Sequence, residues 1–135
     1  MTDNLKRVID FIDTTNLYYI ATMDEYNQPR VRPFGTAMVY KDKLYFMTGK
    51  EKKVSDQITK NNKVEICVFR DGNWMRIAGE VFDDETREAK VAMLEKIPIL
   101  RNMYNEDDGK MRLLYFNKAK VSCGSLYEAF EDFEI

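Results

Sequence analysis

A pair of arginines, a short run of lysines and the single tryptophan are the side chains here whose spacing suits the capture of a ligand. Arg30 and Arg32 stand two apart in Gln28-Pro29-Arg30-Val31-Arg32-Pro33-Phe34, so in a strand they point to one face. Paired guanidinium groups offer directed donors and a permanent charge, which favours an anion. Their plainer role is a solvated strand face paired with acids, an arrangement worth little in stability. In Tyr45-Phe46-Met47-Thr48-Gly49-Lys50-Glu51-Lys52-Lys53 a strand ends in a hydroxyl and a glycine, and lysines lead into a helix. Cations and unbonded helix-start N–H groups meet there, as a phosphate requires. It is not a P-loop, because the earlier glycine and the hydroxyl residue after the lysine are both missing. A polar connection with solvated lysines has the same composition. Trp74 follows the Asp71-Gly72 turn and shares a strand face with Arg76. It can stack on a planar ligand or cover one end of a barrel.

What the chain lacks narrows the chemistry further. It has no histidine, so it cannot build a Ser-His-Asp or Cys-His catalytic unit, or a histidine-ligated zinc or haem. Asp and Glu are scattered, and no loop spaces them as magnesium ligands. Reactivity would have to come from an organic cofactor. No side chain stands out as an acid or base; Tyr18, Tyr19 and Arg76 are available as proton or charge partners beside a cofactor. Cys67 and Cys123 lie in no metal or redox motif. Cys67 sits within an apolar run, which reads as a buried thiol.

The net charge is −2, with both signs mixed along the chain. That argues against a protein that coats nucleic acid. Apolar stretches such as Val64 to Phe69 fall far short of the roughly 20 residues that span a bilayer. The charged beginning has no apolar signal region, so a cytoplasmic location is expected and no membrane partner. The acidic segment Glu128 to Glu134, with Phe130, Phe133 and Ile135 in or beside it, is expected to dock.

Periodicity supplies the elements that must position these groups. A helix is predicted over 3–13, with Leu5, Val8, Ile9 and Ile12 on one face and Thr2 or Asp3 as cap. Strands follow over Leu17–Met23, Arg30–Tyr40 and Leu44–Thr48, then a helix over Val54–Lys60. Further strands over Val64–Arg70 and Trp74–Phe82 flank the Asp71-Gly72 hairpin turn. A helix over Arg87–Lys96, a short helix near Ile99–Tyr104, a strand over Met111–Val121 and a C-terminal helical turn complete the chain. The 135 residues suit one domain. Six strands joined by hairpins fit a closed or partly closed antiparallel barrel better than a parallel wound sheet, and closure removes edges.

The segments Tyr19-Ile20-Ala21-Thr22-Met23-Asp24, Gln28 to Pro33, Leu44 to Thr48, Lys52-Lys53, Gln57-Ile58, Asn61 to Val64 and Arg76-Ile77-Ala78-Gly79 occur in an informative order. Over about residues 5 to 83 the chain resembles the pyridoxamine 5′-phosphate oxidase-like FMN-binding proteins, in their short general-stress and nitroreductase-like branch. The resemblance implies a mainly β fold with helices, a six-stranded antiparallel split barrel that forms a homodimer with FMN at the interface. By position, Arg32, Pro33 and Phe34 would border the flavin and its phosphate-bearing tail. Phe46, Met47 and Thr48 would line the ring or ribityl chain, and Lys52 or Lys53 would hold the phosphate. Trp74 and Arg76 fall near the flavin, in some members from the other subunit. The arginine and histidine pattern with which the vitamin B6 oxidases hold substrate is missing from the C-terminal region. The implied activity is therefore electron transfer to another small molecule, with a pyridine nucleotide as a candidate donor. A non-catalytic flavin-storing or sensing module is the alternative, and deazaflavin or haem a further one.

Overall fold

The computed structural model describes residues 1–128 and 131–135. Helix α1 (Asp3–Thr15) begins at Thr2, whose hydroxyl accepts from the Leu5 N–H at 3.1 Å, and ends at Asn16 in the left-handed region. Its buried residues are Leu5, Val8, Ile9 and Ile12, the face that the periodicity marks. The strands are β1 (Tyr18–Met23), β2 (Pro29–Phe34), β3 (Met38–Tyr40), β4 (Lys43–Gly49), β5 (Lys63–Arg70), β6 (Asn73–Asp83), β7 (Met111–Ser125) and β8 (Glu131–Glu134). Between them lie α2 (Lys53–Lys60), α3 (Arg87–Lys96) and a 3₁₀ turn at Pro98–Asn102.

All strand pairs are antiparallel, in the order β2-β1-β5-β6-β7-β4-β3, with β8 added on β7. The sheet is open rather than closed. Its two ends, β2 and β3, do not pair with one another. Pro29 and Pro33 lie in β2 and remove N–H donors from it, as suits an edge. The strand expected over 30–40 is in fact two, because Gly35 to Ala37 leave the ladder. A further strand, β8, takes the place of the expected C-terminal helical turn, so the described residues hold eight strands and not six. In the C-terminal segment Phe133 and Ile135 pack against the core, while Phe130 lies outside the described residues.

Strand alternation divides the molecule. One cluster, built on Tyr18, Ile20, Phe46, Ile66, Ile77 and Val121, is covered by α1. A second, with Tyr45, Met47, Met93, Leu94 and Met111, lies under α3. In β5 the residues Val64, Ile66 and Val68 take the core side. Cys67 therefore lies half-exposed on the opposite face, beside Arg76 in register, and not buried as expected. Gly79 marks an irregularity in the β6–β7 ladder. A Cβ there would stand 2.6 Å from the Lys118 carbonyl oxygen. Gly79→Ala is accordingly expected to lower stability by about 1–3 kcal/mol in urea denaturation; an unchanged midpoint would show that the strands part freely at this point.

Candidate functional site

Arg32 faces the core side of the sheet, opposite Ile20 in register, at the end of the sheet where α2 packs against β1. Its Nη1 donates to the Thr22 hydroxyl at 2.8 Å and to the carbonyls of Ile20 at 3.2 Å and Arg30 at 3.3 Å. Its Nη2 donates to Gln57 Oε1 at 2.8 Å. Every one of these acceptors is neutral. Burial first, and then the nearby Arg30 charge, hold the Arg32 guanidinium below its ordinary pKa.

Other arginines of the fold are treated differently. Arg112 makes a two-point ion pair with Asp83 at 2.7 and 3.0 Å and also donates to Ser55 and Thr59 of α2, which fixes that helix against β7. Arg7 is bidentate to Glu131, 3.0 Å on both arms, and lies 4.9 Å over the Phe133 ring. Arg30 pairs with Asp24 at 3.0 Å. Among the described residues Arg32 has no carboxylate partner.

Beside Arg32 opens a cleft of about 380 Å³, within the ordinary size of a small-molecule site. Arg32, Pro33, Phe34, Met47, Thr48, Lys52 and Lys53 all line it. Lys52 is the N-cap of α2 and makes no side-chain capping bond, whereas Thr2 and Thr86 cap their helices with hydroxyls. The exposed Lys52 and Lys53 make no ion pair among the described residues. Their charge adds to that of the helix start. Thr36 ties the loop after β2 to β4 by accepting from the Met47 N–H at 3.0 Å and donating to the Met47 carbonyl at 3.2 Å. That link joins the two walls of the cleft. Thr48 is 4% exposed, and its hydroxyl has no hydrogen-bond partner among the described residues. A buried hydroxyl without a partner costs free energy, and this one belongs to a residue of the cleft wall.

The remaining predicted residues stand elsewhere. Phe46 is buried in the main core, its ring 6.1 Å from Phe34 and 6.0 Å from Phe116. Trp74 and Arg76 lie on the other face of the sheet, in register with Phe69 and Cys67 of β5. The Arg76 guanidinium stacks on the Trp74 ring at 4.6 Å, and the indole N–H donates to the Ser125 carbonyl. The depression beside Trp74 also holds the Arg7–Glu131 pair, so its cation is already matched.

Residues that spacing alone did not single out complete the cleft. Leu100, Met103 and Tyr104 reach it from the 3₁₀ turn and the residues just after it. Burial, Glu51 and Asp108 raise the Tyr104 phenol above its ordinary pKa. Gln57 lies four residues after Lys53, on the same helix face, and that spacing is a signal the sequence did carry.

A sequence model of the pyridoxamine 5′-phosphate oxidase family matches residues 5–120. No curated protein matches the chain. A NimC/NimA family protein from Clostridium acetobutylicum is 40% identical with a TM-score of 0.91, the match covering 97% of this chain and 92% of that one. A pyridoxamine 5′-phosphate oxidase-related, FMN-binding protein from Nostoc punctiforme is 15% identical at a TM-score of 0.73, covering 100% and 97%. A heme-binding protein from Mycobacterium smegmatis is 12% identical at 0.78, covering 98% of this chain but 58% of its own. The last two likenesses are of fold, and that fold is the split barrel expected from the sequence.

The orphaned hydroxyl generates a test that needs no ligand. Thr48→Val keeps the shape and removes the unmatched oxygen, so it should stabilise the ligand-free chain by about 1 kcal/mol in thermal or urea melts. A loss of stability would mean that the hydroxyl has a partner in solution.

Proposed function

The chain belongs to the pyridoxamine 5′-phosphate oxidase family, and from that premise we propose that it binds FMN in the cleft beside Arg32 and uses it to pass electrons to a small molecule. The observation that carries this reading is the half-buried, carboxylate-free guanidinium of Arg32 in one cleft with the orphaned Thr48 hydroxyl. A phosphate would supply the missing negative charge, between Arg32, Lys52 or Lys53 and the start of α2. A polyhydroxylated chain would give Thr48 its partner. Phe34, Met47, Leu100 and Met103 provide the apolar wall that a flat ring system requires. The bound flavin would supply the redox chemistry, and the residues of the cleft would fix its position and limit access to it. The FMN-binding relative from Nostoc punctiforme supports the choice of cofactor. Haem suits the cleft less well, since the chain has no histidine to ligate iron.

The position of Trp74 and Arg76 supports a dimer. They share the outer sheet face with Tyr19 and Pro33, while Arg32 occupies the inner face of the same strands. One chain cannot close both groups over one ligand through its own sheet. Val31 and Phe69, 68% and 55% exposed, lie on that outer face and give it an apolar surface. A second copy packed there would bring its own Trp74 and Arg76 toward the cleft at the β2 edge.

Purified chain incubated with FMN and desalted is expected to keep about one flavin per chain, read from the flavin absorbance, and to reduce it with a pyridine nucleotide faster than free FMN. A chain that retains no flavin would contradict the reading. Val31→Asp places a charge on the outer face, and sedimentation should then show a monomer with weakened FMN binding. A Val31→Asp monomer that binds FMN at full strength would contradict the shared site.

A further inference from the structure

We propose that Gln57 and Thr22 are positioning residues that hold Arg32 as an uncompensated charge for the phosphate of the mononucleotide. This rests on the flavin reading above and adds to it the device that makes the anion site. The three side chains close a triangle. Arg32 Nη1 donates to Thr22 Oγ1 at 2.8 Å, Thr22 donates to Gln57 Oε1 at 2.6 Å, and Arg32 Nη2 donates to the same Oε1 at 2.8 Å. A guanidinium has no acceptor, so the Gln57 amide must turn its oxygen inward. Its NH₂ is then left without a protein partner among the described residues, at the neighbouring cleft that Gln57, Arg32 and Lys53 line together.

The choice of an amide matters because of what a carboxylate does elsewhere in this fold. Glu131 and Asp83 grip Arg7 and Arg112 by two oxygens each and cancel their charge. Gln57 offers Arg32 the same kind of oxygen without the charge. Thr22, 3% exposed, fixes the other arm in the same way. The guanidinium is oriented and desolvated, yet its positive charge remains unmatched. In the cleft beside Phe34 and Thr48, which no carboxylate lines among the described residues, it stands with Lys53, one helical turn before Gln57.

The test is the nearly isosteric substitution Gln57→Glu, compared with wild type in titrations of FMN and of riboflavin, which lacks the phosphate. A carboxylate here would keep Arg32 in place and cancel its charge. The expected result is an FMN affinity lowered about tenfold or more, with riboflavin affinity within about twofold and a melting temperature no lower than wild type. Inorganic phosphate should also compete less well with FMN in the variant. A second variant, Gln57→Met, removes the acceptor without adding charge. It should weaken FMN by a few-fold and leave riboflavin unchanged, so the question is answered even where the carboxylate disturbs folding. Equal FMN affinity in wild type and both variants, or equal losses for FMN and riboflavin, would overturn the inference while leaving the flavin reading intact. A wild-type chain that binds neither flavin would overturn both.

Discussion

A guanidinium drawn half out of water and given only neutral acceptors is the constraint on which the rest of the site depends. Removing a charge from water is costly unless an opposite charge or a full set of hydrogen bonds compensates it. Arg32 donates hydrogen bonds to Thr22, Gln57 and two backbone carbonyls, and has no carboxylate partner among the described residues. The arrangement holds only while α2 keeps Gln57 in reach. That helix is in turn fixed by Arg112, which joins Ser55 and Thr59 to Asp83 across the sheet. A fully matched arginine therefore anchors the helix that orients an unmatched one.

The same helix serves the site twice. Its first turn brings Lys53 and the N-terminal N–H groups to the cleft, and its second brings Gln57 to Arg32. Val54 and Ile58 tie its other side to the core. The sheet contributes by alternation. Phe34 and Arg32 point inward from β2, and Val31 and Pro33 point outward, so one short edge strand both lines the cleft and presents an apolar surface. In the proposed dimer, that double use of β2 would link the cleft on one face to the second copy on the other.

Much of this was legible in the sequence because it depends on local rules. The α3 helix, the Asp71-Gly72 turn and the α1 cap follow from capping and turn chemistry that acts over a few residues. Seven of the residues named for the ligand line one cleft, since the spacing of Arg32, Thr48 and Lys53 is tied to the ends of strands and a helix. The losses have physical reasons as well. By the two-residue strand period Phe46 shares a face with Thr48, but it lies deeper, in the core against Phe116. Cys67 looks buried in an apolar run, and the same period turns it outward. The break at Gly35 to Ala37 and the pairing of β8 with β7 depend on tertiary contacts with Met47 and Ala119 that no local pattern announces. The Thr22–Gln57–Arg32 triangle joins three distant positions and could be seen only after folding.

The most direct measurement is a crystal structure of the chain grown with FMN. The expected result is a phosphate in hydrogen-bond contact with Arg32 and the start of α2, a ribityl hydroxyl on Thr48, and a flavin ring against Met47 with Trp74 of a second copy close by. A flavin held away from Arg32, or with its phosphate in solvent, would contradict it.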